Sequence, residues 1–284
     1  ISVASGADAL FSFLPPSWLP YKIGFAVGGV LLLTVMNMRG VKESVLPLVP
    51  IFVTFVLTHA FLIGYAIFMK AGNIGEVAGA VSADVAQTQA ELGMGGMFLL
   101  LLRAYSMGAG TYTGIEAVSN GLPILREPKV VTGKRTMRYM AVSLAVTVMG
   151  LIIAYLLYQV TPETGKTLNA VLFEAMTRDW GTGGRLFVLI TLVSEAALLL
   201  IAAQAGFLDG PRVLSNMAID RWFPTKFAML SDRLVTQKGI LLMGGAALLT
   251  MVLTGGSVKY LVVLYSINVF ITFFLSQLGM VRHW

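Results

Sequence analysis

The sequence predicts an all-α integral membrane protein, and three observations carry that class. The chain is 57% hydrophobic and only 12% charged, about half the roughly 25% charge of a soluble domain. Its mean hydropathy is +0.82. Its apolar residues gather into eight segments, and its prolines fall mostly at their boundaries. In lipid a backbone must satisfy its own polar groups, and apolar runs of about 20 residues do so as helices.

The segments follow in order. Residues 1–14 are mostly small or apolar and too short to span. With Ile1 at the start and no basic residues before them, they read as the end of a truncated membrane helix, not a signal peptide. Full spans follow near 20–38, 47–69, 95–123, 137–160, 185–208, 239–254 and 258–281. Residues 70–94, with Glu76, Asp84 and Glu91 against Lys70, read as a long polar connection. The whole of 1–284 is one transmembrane domain.

Loop charge sets the orientation. Of 20 Lys and Arg, 13 lie in 39–46, 124–138, 209–238 and 282–284. Six lie in 15–22, 70–94, 161–185 and 255–259, and Arg103 is within a span. The positive-inside rule places the first set in the cytoplasm. The chain is thus expected to be a multi-pass plasma-membrane protein with Trp284 at a cytoplasmic end. The net charge of +6 is explained by these loops, and no nucleic-acid partner is expected. The absence of cysteine excludes disulfides and thiolate metal sites, and His59 and His283 are too few for a histidine cluster. No phosphate-binding loop, nucleophile–base set or metal spacing is visible, so the chain is not read as an enzyme.

Residues 106–128 are the most informative stretch. Gly108, Gly110 and Gly114 bracket the hydroxyls of Thr111, Tyr112 and Thr113 inside an apolar span. Each glycine weakens a helix interior by roughly 1 kcal/mol relative to Ala, which predicts a helix broken near 108–115. Broken helices expose carbonyls and amides that lipid cannot satisfy. Secondary transporters build midplane substrate and ion sites from them. Gly110, Thr111, Tyr112, Thr113 and Gly114 are therefore candidate substrate- or ion-binding residues. The structural alternative is close helix packing through small residues.

Two acids are candidates for proton coupling. Glu116 lies just inside the break, where it could instead anchor backbone amides or pair with an arginine. Glu195, in Leu-Val-Ser-Glu-Ala-Ala-Leu, is the deepest acid in the chain. Apolar surroundings penalise the charged form of a carboxyl, which suits a proton carrier. Its alternative is an ion pair with Arg103. Asp8 reads as interfacial, and His59 as a hydrogen-bonded packing residue. Tyr265, Ser266 and Asn268 interrupt the last span, and Tyr265 could add a hydroxyl to a central site or simply pack. Residues 207–233 read as a cytoplasmic amphipathic connector, acting as a gate or as a rigid ion-paired loop.

A family resemblance rests on these residues. Thr-Gly-Ile-Glu-Ala-Val-Ser-Asn-Gly-Leu-Pro (113–123), followed by Arg-Glu-Pro (126–128), resembles the sixth helix and following loop of the amino acid–polyamine–organocation superfamily. Asp-Gly-Pro-Arg-Val-Leu-Ser (209–215) and Asp-Arg-Trp-Phe-Pro (220–224) resemble the loop after its eighth helix. Ser-Asp-Arg-Leu-Val (231–235) and Leu-Ser-Gln-Leu-Gly-Met-Val-Arg-His-Trp (275–284) resemble the KimA-type potassium importers of the KUP group.

The resemblance implies a partial LeuT-type inverted-repeat fold, from late helix three to helix ten. It further implies a cation site between helices one, three, six and ten, to which Thr111, Thr113 and Tyr265 would bring oxygens for potassium. The family's acidic positions on helices one and three would fall before Ile1, and Glu195 has no clear counterpart. The expected function is a secondary transporter, first a proton-coupled potassium importer. The alternatives are an amino-acid or polyamine permease and a non-transporting membrane subunit. No cofactor is expected beyond bound potassium and a coupling proton. The expected partners are the lipid bilayer, a small cation or amino-acid substrate, and a second copy in a homodimer.

Overall fold

The computed structural model describes residues 1–40, 48–108, 110, 118, 122, 125–233 and 235–283. Among these the protein is all-helical, with no strand. The helices are α1 (Ser2–Phe11), α2 (Lys22–Met38), α3 (Leu48–Met69), α4 (Ile74–Gly108), α5 (Lys129–Leu157), α6 (Leu168–Thr177), α7 (Gly181–Ile219), α8 (Gln237–Leu253) and α9 (Val258–His283). Five helical stretches among the described residues are long and apolar enough to cross a membrane: Pro16–Met38, Leu48–Met69, Lys129–Leu157, Leu168–Ile219 and Val258–His283.

Helix extends beyond the apolar spans. Residues 74–92, within the expected polar connection, are helical. Their alanines, glutamates and glutamines are good helix formers whether or not lipid surrounds them. The expected loop 161–185 contains α6. α5 begins at Lys129, so its first turns carry the basic residues of the 124–138 loop. α7 runs for 39 residues, about 58 Å at 1.5 Å per residue, nearly twice the roughly 30 Å hydrocarbon layer. Pro211 lies within it, although proline there was expected to mark a boundary.

The chain divides into two compact units, residues 1–62 with 160–258, and 63–159 with 259–284. In the first, α7 is the axis against which α1, α2, α6 and α8 pack. Glycines allow the close approaches. A Cβ at Gly6 would lie 3.1 Å from the Ala196 carbonyl oxygen, and one at Gly239 would lie 3.1 Å from Pro211 Cα. The side-chain distribution suits lipid. Leu31, Leu32, Phe52 and Leu57 are exposed, while Thr34, Asn37, Thr191, Ser194 and Gln204 are buried. The buried hydroxyls donate to carbonyls of their own helix: Thr34 to Val30 at 2.7 Å, Thr191 to Phe187 at 2.9 Å and Ser194 to Thr191 at 2.8 Å. Asn37 and Gln204 exchange amide hydrogen bonds of 2.7 and 2.9 Å, tying α2 to α7.

The second unit holds the end of α3 with α4, α5 and α9. Gly93 interrupts α4 with φ 68° and ψ 175°, a conformation that only glycine adopts readily. Lys70 Nζ sits 5.5 Å from the Tyr158 ring centroid, and the Tyr105 and Phe270 rings meet at 6.3 Å between α4 and α9.

Candidate functional site

The glycine-rich segment begins where the description of α4 stops, at Gly108. Gly110 lies against α9, where an added Cβ would stand 3.2 and 3.3 Å from Cε1 and Cδ1 of Tyr265. With Tyr105 beside Phe270, the two contacts fix an antiparallel register: five residues on along one segment match five residues back along the other. Two predicted site residues, Gly110 and Tyr265, are thus brought together. The small residue lets the Tyr265 ring approach the backbone. Thr111, Tyr112, Thr113, Gly114 and Glu116 lie outside the described residues.

Ser266, beside Tyr265 on α9, is buried at 5% exposure, and its Oγ has no hydrogen-bond partner among the described residues. A hydroxyl in a helix usually returns to a carbonyl of the preceding turn. Leaving it unpaired costs about 1–3 kcal/mol. Asn268, further along α9, donates to the Leu264 carbonyl at 2.8 Å.

Glu195 belongs to a polar cluster in the first unit. Its Oε1 and Oε2 accept from Asn169 Nδ2 at 3.1 and 3.2 Å. Its Oε2 lies 3.7 Å from His59 Nε2. The Glu195 side chain is 13% exposed, and His59 is buried at 3%. His59 Nδ1 donates to the Phe55 carbonyl at 2.9 Å, and the ring packs on Phe55 at 4.0 Å and edge-on to Phe173 at 5.4 Å. The hydrogen-bonded packing expected of His59 is present at Nδ1. Nε2 has no hydrogen bond, because 3.7 Å is too long for one, yet it is close enough for electrostatic interaction.

Local sequence builds this cluster. The Thr167 hydroxyl caps α6 by accepting the Ala170 amide at 3.2 Å, and the Thr167 amide donates to Ser12 Oγ at 2.9 Å. Asn169 and Phe173, four apart, therefore share one face of a helix anchored at its start. Gly181, at φ 59°, then turns the chain into α7. α6 packs back along it. Sequence reasoning missed Asn169, which sits in an expected loop, and missed the meeting of His59 with Glu195. Nothing in either local sequence signals it. Among the described residues no group of three or more metal-ligating side chains is present.

The membrane-length helices and polar interior agree with the comparison to protein families. The chain belongs to the amino acid permease family, whose model matches residues 1–284. It is a multi-pass membrane protein of that family. It is also similar to the potassium transporter KimA of Bacillus subtilis (strain 168), with 30% identity over 285 residues. The match covers 100% of this chain and 45% of that relative, so the chain spans about half the relative's length.

Proposed function

We propose that this chain is part of a secondary active transporter, a proton-coupled potassium importer of the plasma membrane. The observation that carries the reading is the contact of Gly110 with Tyr265 on α9, two of the residues expected at the site. The similarity to a potassium transporter supports the choice of ion. In this reading the fold is a LeuT-type inverted repeat. Thr111, Thr113 and Tyr265 supply oxygens in place of water around potassium, and carbonyls freed near Gly110 and Gly114 complete the shell. Carbonyl and hydroxyl oxygens can substitute for the hydration shell of a potassium ion. Import against a gradient needs a driving force, and Glu195 or Glu116 carries the coupling proton. Lys/Arg asymmetry supports a cytoplasmic end at Trp284.

A second reading, an amino-acid or polyamine permease, is favoured by membership of the amino acid permease family. Growth of a potassium-uptake-deficient bacterium expressing the full-length protein separates the two. The potassium reading expects rescue at low potassium, stronger at acid external pH. Uptake of amino acids without potassium would establish the permease. Insertion without transport of either would point to a non-transporting subunit.

A further inference from the structure

We propose that Glu195 and His59 together form a proton-binding site that holds one proton between Oε2 and Nε2, with Asn169 as the positioning residue. Its role in transport rests on the proton-driven reading above; proton binding by the pair does not.

The hydrogen inventory leads to this assignment. A backbone carbonyl can only accept, so the His59 Nδ1 bonded to Phe55 carries a hydrogen. In a neutral ring Nε2 is then a bare lone pair. Beside it, at 3.7 Å, is a carboxylate oxygen that also only accepts. Asn169 donates to both carboxylate oxygens and holds the group in place. Without a shared proton, a lone pair and an anionic oxygen face each other in a buried site, and Nε2 has no hydrogen bond.

One proton taken from water resolves the conflict. It makes either an imidazolium–carboxylate pair or a carboxylic acid donating to a neutral imidazole. In both cases the charge of the pair changes from −1 to zero. A second proton would leave an imidazolium facing an uncharged acid, a buried net charge without its counter-ion. The site therefore stores one.

The same geometry gives proton binding a mechanical consequence. Charge-assisted N–H···O bonds settle near 2.7–2.9 Å, so loading closes the 3.7 Å gap by roughly 0.8–1.0 Å. His59 is on α3 and Glu195 on α7, so closure draws one helix towards the other.

Other charged groups lie on the elements around α7. Asp8 of α1 pairs with Lys22 of α2 at 2.6 Å, and Glu174 of α6 pairs with Lys166. Arg39 follows α2, Arg178 and Asp179 occupy the turn after α6, Lys226 lies in the turn Thr225–Phe227, and Lys238 begins α8. On α7 itself the charged residues are Arg185, Asp209 and Arg212. Among the described residues, none of these makes a hydrogen bond or ion pair with Glu195 or His59.

Infrared difference spectroscopy of the full-length protein in liposomes, titrated with acid, tests the site without requiring transport. The wild type should gain either a carboxylic-acid band or imidazolium ring bands, according to which group carries the shared proton, and that signal should be lost or displaced in midpoint in both Glu195→Gln and His59→Gln. Asn169→Ala should retain the signal at a shifted midpoint. A signal that titrates unchanged in Glu195→Gln or in His59→Gln overturns the shared proton. Should Glu195→Gln fail to fold, wild-type protein carrying labelled histidine gives the same answer. Ring bands that do not respond in the titration overturn it. Potassium uptake driven by a pH gradient and undiminished in a folded Glu195→Gln variant overturns the coupling role while leaving the potassium reading intact. A pair that titrates as expected in a protein that carries amino acids and no potassium refutes that reading and supports the site.

Discussion

Replacing Gln204 with Leu is the cleanest test of how the first unit is held together. Gln204 and Asn37 are buried at 3% and 6% exposure and exchange two hydrogen bonds between α7 and α2. Gln204→Leu keeps most of the volume but strands Asn37 Oδ1, while Asn37 Nδ2 retains its 2.7 Å bond to the Leu33 carbonyl. A stranded buried acceptor costs about 1–3 kcal/mol. Interhelical polar bonds in membranes average about 0.6 kcal/mol each, which places the loss near the lower end, at about 1 kcal/mol. Asn37→Leu should cost a similar amount, for the converse reason. The double variant removes both partners and strands neither, so it should be less destabilised than the two single losses together. Reversible detergent unfolding of the full-length protein gives all four stabilities. If the double loss equals the sum of the singles within about 0.5 kcal/mol, the pair is not coupled and the reasoning fails.

Other expectations follow from geometry and charge. A Cβ at Gly184 would lie 2.5 Å from the Thr177 carbonyl oxygen and 2.9 Å from Trp180 Cβ, whereas one at Gly183 meets nothing within 4 Å. Gly184→Ala should therefore lose roughly 1–3 kcal/mol of stability by overpacking, while Gly183→Ala leaves the melting temperature unchanged or raised; equal melting temperatures would contradict the packing. Cysteines at Lys134 and Asp84 should label from opposite sides of the membrane, and labelling from one side would reverse the charge argument. The hydrogen bond that Lys166 donates to Glu174 holds its ammonium above the ordinary lysine range, with the nearby Glu163 adding to it. That stabilisation is fully present below the ordinary lysine value and is lost as pH rises through the raised one, so alkaline titration should lower the melting temperature of wild type more than of Lys166→Met.

The membrane class was legible because composition alone separates lipid-facing helices from water-facing ones. Helix ends were less legible. Residues 74–92 carry acids and glutamines, and polarity was mistaken for a loop where helix propensity prevailed. Pro211 was read as punctuation, yet it is buried inside α7 with Gly239 against it. The depth of Glu195 could be read from its apolar neighbours. Its partners could not, since His59 and Asn169 reach it from separate helices and only tertiary packing brings them together. Gly110 and Tyr265 were both chosen for their own chemistry. That they touch is a product of the antiparallel register of their segments, which neither segment encodes alone.

The central claim, that hydroxyls at the glycine-rich segment bind potassium, is tested most directly by potassium uptake into liposomes holding the full-length protein with Thr111→Val and Thr113→Val together. Valine keeps the shape of threonine and removes its oxygen. The account predicts a weaker apparent affinity for potassium at an unchanged level of inserted protein. Normal potassium uptake by the double variant, or uptake of amino acids and not potassium by the wild type, would contradict it.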